Sequence, residues 1–163
     1  MKKLENNVVS LFEQSNQGIQ KDVITETMKM KRGGSLSNPV LAYETWGQLS
    51  KSKDNVVVIL TGLSASSHAA SHTTNSKTGW WEGIVGPNKA IDTNKFYVIC
   101  INSLGSCFGS TGPASINQIT GEPFRLTFPE LTIDDMATAT KYLLDKLGIR
   151  HINTLVGPSM GGM

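Results

Sequence analysis

The residues best suited to covalent chemistry stand at the end of the chain, in Gly157-Pro158-Ser159-Met160-Gly161. A serine with glycines two positions before and two after has the spacing of a nucleophile elbow. That is a sharp strand-to-helix turn projecting the hydroxyl clear of the backbone, with small flanking residues that let neighbouring segments approach. A serine hydroxyl is a weak nucleophile by itself, so the chemistry also needs a base and N–H donors for the developing oxyanion. Phosphate-loop readings fail here. No Lys-Ser/Thr pair follows, and the glycines do not fit a dinucleotide fingerprint.

The donors are expected from main-chain amides. "LTGLSASSHAASH" leaves an apolar run through Gly62, and the Leu63 N–H is positioned to join the Met160 N–H as an oxyanion hole. The base is harder to find. The three histidines, His68, His72 and His151, all precede Ser159, whereas an elbow serine is followed by its acid and then its histidine. His68 and His72 stand four apart and could offer two imidazoles to a metal. No carboxylate lies between them and no third ligand is evident, so no metal site is expected. His151 is expected at the entrance to a strand. Trp80 and Trp81 read as packing residues before pocket residues, and Asp134, Asp135 and Asp145 as helix-cap and surface charges. Cys107, in a Gly/Ser-rich loop, has no partner that would make it a nucleophile.

The elements that must position Ser159 are legible in the apolar patterning. "NVVVILTG" (Asn55 to Gly62) and "KFYVICIN" (Lys95 to Asn102) are apolar on both faces, as strands inside a covered parallel sheet are. "HINTLVG" is a shorter strand that runs into the elbow. Before it, "TIDDMATATKYLLDKLG" predicts a helix capped by Thr132 with Asp135 three residues on. Its apolar face would be Ile133, Met136, Ala137, Thr140, Leu143, Leu144 and Leu147, and Gly148 would end it. Helix, buried strand and sharp turn follow the grammar of an α/β fold. Near the N-terminus "TETMKMKRGG" and "PVLAYETWG" predict an antiparallel pair joined around Leu36 to Pro39. Residues 1–20 read as an extension with a short apolar pattern, leaving 21–163 as the domain. The stretch 102–132 lacks periodicity, and so long a loop is more often functional than idle.

Composition bounds the rest. An apolar fraction of 39%, 17% charged residues and 16 glycines describe a turn-rich globular chain long enough to bury a core. The net charge of +2 is dispersed, which argues against nucleic acid or an anionic membrane as partner. No apolar run approaches the roughly 20 residues of a membrane span, and the N-terminus lacks the apolar region of a secretory signal. Two cysteines, Cys100 inside an apolar run, suggest a reducing, cytoplasmic setting.

Taken together, "LAYETWG", "LTGLSASSHAA", "GWWEGIVGPNKAIDTNKFYVICIN", "GSTGPASINQITGEPFRLTFPELTIDDM" and "GPSMGGM" resemble the homoserine O-acyltransferase family of the α/β-hydrolase fold. The resemblance runs from about residue 24 to the end. It implies a mostly parallel sheet and an acyl-CoA-dependent O-acyltransferase. The acyl group, acetyl in the leading reading, would pass by a double displacement through Ser159 to the side-chain hydroxyl of homoserine, in methionine biosynthesis. It implies no bound cofactor, acetyl-CoA or succinyl-CoA as co-substrate, and a homodimer in the complete form. The loop "NSLGSCFGSTGPAS" departs from the acetyltransferase pattern and leans toward a branch that uses serine or succinyl groups and feeds cysteine synthesis. An esterase of the same fold and a non-catalytic remnant are the other readings.

The resemblance places the family's acid and histidine beyond the elbow, outside these residues. The expectation is therefore an N-terminal fragment, cut after the elbow and inactive alone, with strand 151–156 left as an open edge that favours insoluble or molten material. A reading frame continuing past Met163 to a later Asp and His would bear this out.

Overall fold

In the computed structural model, which describes residues 19–163, a five-stranded sheet carries the chain. Nine strands are present among the described residues: β1 (Gln20–Val23), β2 (Met28–Lys29), β3 (Ser35–Leu36), β4 (Val40–Trp46), β5 (Val56–Leu60), β6 (Val85–Gly86), β7 (Ile91–Asp92), β8 (Tyr97–Ile101) and β9 (Thr154–Val156). The main sheet runs β1-β4-β8-β5-β9. β5 lies parallel to both β8 and β9, whereas β4 is antiparallel to β1 and β8. The apolar pattern of residues 1–18 lies outside the described residues.

Both faces of β5 and β8 are covered, as their unbroken apolar runs require. Val56, Val58, Ile99 and Ile101 join one core with Leu41, Tyr43 and the helix residues Ala139, Leu143 and Leu144. Val57, Ile59, Val98 and Cys100 alternate onto the other face, under Ala69, Ala70, Val85, Trp80 and Trp81. Trp80 and Trp81 therefore pack, their ring centroids 4.9 Å apart and the Trp80 indole N–H donating to Ser66 O at 2.7 Å. Burial pushes the Cys100 thiol well up, which leaves it inert.

The helix α1 spans Ile133–Lys146, with Thr132 and Asp135 forming the expected reciprocal capping box. Asp135 does more than cap. Burial alone would raise its carboxyl, but the Thr132 N–H and hydroxyl and the Lys31 N–H together hold it below its usual value. The helix buries a different stripe from the one its periodicity suggests. Asp135, Ala139, Leu143 and Leu144 are inward, while Ile133 and Ala137 are exposed. The apolar arc is wider than one stripe, and its second half (Ile133, Met136, Ala137, Thr140) flanks a hollow of about 540 Å³ shared with Leu155, Met160 and Met163.

The N-terminal pairing also differs from the simple hairpin. Met28–Lys29 pairs with Ser35–Leu36 through the turn at Gly33 and Gly34, and β4 takes Gln20–Val23 as its partner. Both glycines have positive φ, so the chain reverses there and cannot feed directly into β4. At the other edge β9 has no partner on its outer side among the described residues, and Leu155 is 60% exposed.

The loop between β5 and β6 is held by a carboxylate. Glu82 accepts from the Ser71 N–H (2.7 Å), the Ser71 hydroxyl (2.9 Å) and the Gly79 N–H (3.0 Å). These bonds, the backbone donors first, hold its carboxyl down at about 2. A folded value below the unfolded one stabilises above the unfolded value and is lost as pH falls through the folded one. The Glu82 contribution is thus complete above about pH 4.5 and gone near pH 2. Glu82→Gln is expected to speed amide hydrogen exchange at Ser71 and Gly79 at neutral pH, and to remove this part of the acid dependence.

Candidate active site

β9 delivers the chain to the elbow. Gly157 and Pro158 follow it, and Ser159–Gly162 forms a single 3₁₀ turn. Ser159 sits at φ 54°, in the left-handed region, where a residue with a Cβ costs about 1–2 kcal/mol. Such a conformation persists only where the surroundings over-determine it, and here two glycines do so. A Cβ on Gly157 would collide with the carbonyl of Gly161, and one on Gly161 with the carbonyl of Leu60. The absent side chains let the turn close on itself and seat against the end of β5.

Ser159 is exposed, and its Cβ lies 3.7 Å from the position a Cβ would take on Gly62. The segment leaving β5 therefore passes beside the nucleophile, as the oxyanion reading requires. Leu63, next in sequence, and Met160 both line a cleft of about 410 Å³. The Leu63 side chain is 80% exposed, so the main chain is what places this residue. Met160 stands in the first turn of its 3₁₀ segment, where N–H groups lack intrahelical acceptors, while the Gly161 N–H already donates to Pro158 O.

Residues 102–131 supply most of the remaining lining, with Leu104, Phe128 and Leu131 apolar and Ser103, Ser106 and Cys107 polar, and Thr61, Gly62 and Met136 complete it. Apart from a 3₁₀ turn at Arg125–Thr127, this stretch lacks periodicity because side chains and isolated main-chain bonds fix it. Ser110 Oγ accepts from the Ala42 N–H and donates to Asn102 O, and the Thr111 N–H donates to Val40 O. Ser106 Oγ is buried without a partner, the one such side-chain atom among the described residues.

The histidines do not serve Ser159. His68 Nδ1 lies 2.8 Å and His72 Nε2 2.9 Å from the same oxygen, Glu44 Oε2. Glu44 is fully buried on β4, facing the same core as Trp46. No third ligand is evident beside these histidines in the sequence, where Glu44 is only a charged residue at an inward strand position, 24 residues before His68. His151 is exposed and precedes β9, so it enters the strand at the end away from Ser159. Asp134 and Asp145 are exposed on α1, and Cys107 is exposed at the cleft.

Comparison with known proteins agrees with this fold. Residues 55–163 match the family described as alpha/beta hydrolase fold. A serine O-succinyltransferase of Frateuria aurantia is 60% identical over 135 residues, 82% of this chain and 37% of that protein. The homoserine O-acetyltransferase of Bacillus anthracis superposes with TM-score 0.79 at 35% identity, over 88% of this chain and 40% of that one. The esterase E22 gives 0.77 at 38%, over 88% and 41%. The chain spans between a third and a half of the length of these relatives.

Proposed function

The chain belongs to the alpha/beta hydrolase fold family, and from that premise we propose that its residues form the acyl-accepting part of an acyl-CoA-dependent O-acyltransferase. One observation carries the reading: Ser159 is held in the left-handed region at the end of a parallel strand, beside the segment that brings in Leu63. In the first half-reaction Ser159 Oγ attacks the thioester carbonyl. Its proton goes to a base, the Leu63 and Met160 N–H groups hold the oxyanion, and the C–S bond breaks to release the CoA thiol. In the second, an amino-acid hydroxyl attacks the acyl-serine, gives up its proton, and restores the serine. The base is a histidine with an orienting acid that the family resemblance places after the elbow.

For the acceptor and donor, the similarity to a serine O-succinyltransferase at 60% identity favours succinyl transfer to serine. Acetyl transfer to homoserine is the second reading, favoured by the close superposition on a homoserine O-acetyltransferase. The likeness to an esterase supports water as acceptor instead.

An assay of the active polypeptide carrying these residues separates the readings. Thiol release from succinyl-CoA that depends on serine supports the first, and release from acetyl-CoA that depends on homoserine supports the second. Rapid release without any amino acid supports the hydrolase, and no release from either CoA ester with any acceptor would remove the acyltransferase reading.

A further inference from the structure

Glu44, His68 and His72 pose a problem of proton counting. His68 has an acceptor at each nitrogen, with Lys77 O 2.8 Å from Nε2 and Glu44 Oε2 2.8 Å from Nδ1. Neutral imidazole has one N–H, so donating to the Lys77 carbonyl leaves a lone pair on Nδ1 directed at a carboxylate oxygen. The Asn75 side-chain amide also lies 3.3 Å from the same Nδ1. His72 Nε2 faces Glu44 Oε2 at 2.9 Å, and its Nδ1 can donate to the Thr74 hydroxyl at 2.9 Å.

Among the described residues no Lys or Arg reaches Glu44. Its other oxygen receives only a long contact, 3.4 Å, from the Ser67 hydroxyl. A carboxylate with no exposed side-chain surface, facing two imidazole nitrogens, needs positive charge where they converge, either a proton on an imidazole or a bound cation.

We propose that Glu44, His68 and His72 bind a divalent transition-metal ion of the zinc class, which ties the loop after β5 to β4. One ligand atom from each residue lies within 4.8 Å of the others. Around a tetrahedral zinc with bonds of about 2.1 Å, ligand atoms stand about 3.4 Å apart. The two nitrogen–oxygen distances need to open by only about half an ångström to reach that arrangement. Two imidazoles and a carboxylate are a known zinc donor set that leaves a fourth position for water. The carbonyl behind His68 and the hydroxyl behind His72 are the outer hydrogen bonds that orient metal-binding imidazoles. The Asn75 contact would give way to the ion. The loop so held contains Leu63, but the site is separate from the cleft at Ser159, and the inference stands independently of the acyl chemistry.

The test uses the chelator-treated active polypeptide carrying these residues, titrated with zinc and, separately, with cobalt(II). Expected are one zinc per chain by elemental analysis and calorimetry, and visible cobalt bands of a low-coordinate nitrogen–oxygen site. The Trp46 ring, 5.8 Å from that of His72, should report binding by fluorescence. His72→Gln and His68→Gln should each weaken zinc by about 100-fold or more, since loss of outer-sphere partners alone costs 10–100-fold. Glu44→Gln disturbs the core, so the half-buried histidines are the informative variants. Their circular dichroism without metal should match the parent. No zinc uptake at about 100 μM, or uptake unchanged in the His68→Gln/His72→Gln double variant, would overturn the proposal. So would nitrogen NMR showing His68 protonated at both ring nitrogens in the presence of zinc.

Discussion

Replacing Ser159 by alanine is expected to lower acyl transfer by about five orders of magnitude in the active polypeptide, with the fold retained. The size follows from its role. The serine oxygen forms the bond that carries the acyl group, and no neighbouring group takes its place, since His68 and His72 are engaged with Glu44. Alanine keeps the left-handed strain of φ 54° and removes only the oxygen. Ser159→Gly removes the oxygen and the strain together, because glycine adopts positive φ without penalty. The glycine variant should therefore be equally inactive and about 1 kcal/mol more stable than the alanine variant. Thiol release from acyl-CoA and denaturant midpoints measure the two halves. A Ser159→Ala enzyme with near-parental turnover would remove Ser159 from the mechanism.

The largest effect on stability is expected at Gly161. A methyl group there meets the carbonyls of Leu60 and Thr61, both main-chain atoms at the end of a central strand that cannot rotate aside. The turn would have to lift away from β5, taking Ser159 and the Met160 N–H with it. Gly161→Ala should cost about 3 kcal/mol and abolish activity, as overpacking against fixed backbone does. Gly83→Ala is the control: nothing lies within 4 Å of its added methyl, and its cost should stay within about 0.5 kcal/mol. Urea midpoints of the two variants test the contrast. Equal midpoints would mean that the elbow is looser than this packing implies.

Periodicity carried the regular parts of this fold and failed where single side chains decide. Val56 to Leu60 and Tyr97 to Ile101 announce a two-faced strand by composition alone, and their alternation onto two cores follows from the strand period. Thr132 and Asp135 announce the start of α1 because capping is local chemistry. The buried stripe of the helix was not legible. Alanine, threonine and methionine fill a wide arc, and only the position of the sheet selects Ala139 and Leu143. The pairing of Gln20–Val23 with β4 was hidden too, since QKDV has one apolar residue and lies on an edge.

At the site, the elbow glycines and the Gly62 segment were readable because each answers a local steric need. Glu44 was not. It stands on β4 and meets His68 and His72 only after the loop following β5 folds back over the sheet, and a contact spanning 24 residues has no periodic signature. The 102–131 stretch was legible as functional by its length alone. Its placement against Val40 and Ala42 depends on Ser110, Thr111 and Asn102, three small polar residues that no pattern distinguishes from their neighbours.

The central claim, that Ser159 carries the acyl group, is tested most directly by trapping the acyl-enzyme. The active polypeptide, mixed with equimolar succinyl-CoA or acetyl-CoA without acceptor and quenched in acid, is digested and mapped by mass spectrometry. One acyl group on the peptide containing Ser159, discharged on adding the amino-acid acceptor, is the result predicted. An acyl group that accumulates on Cys107 instead, with Ser159 unmodified, would contradict it.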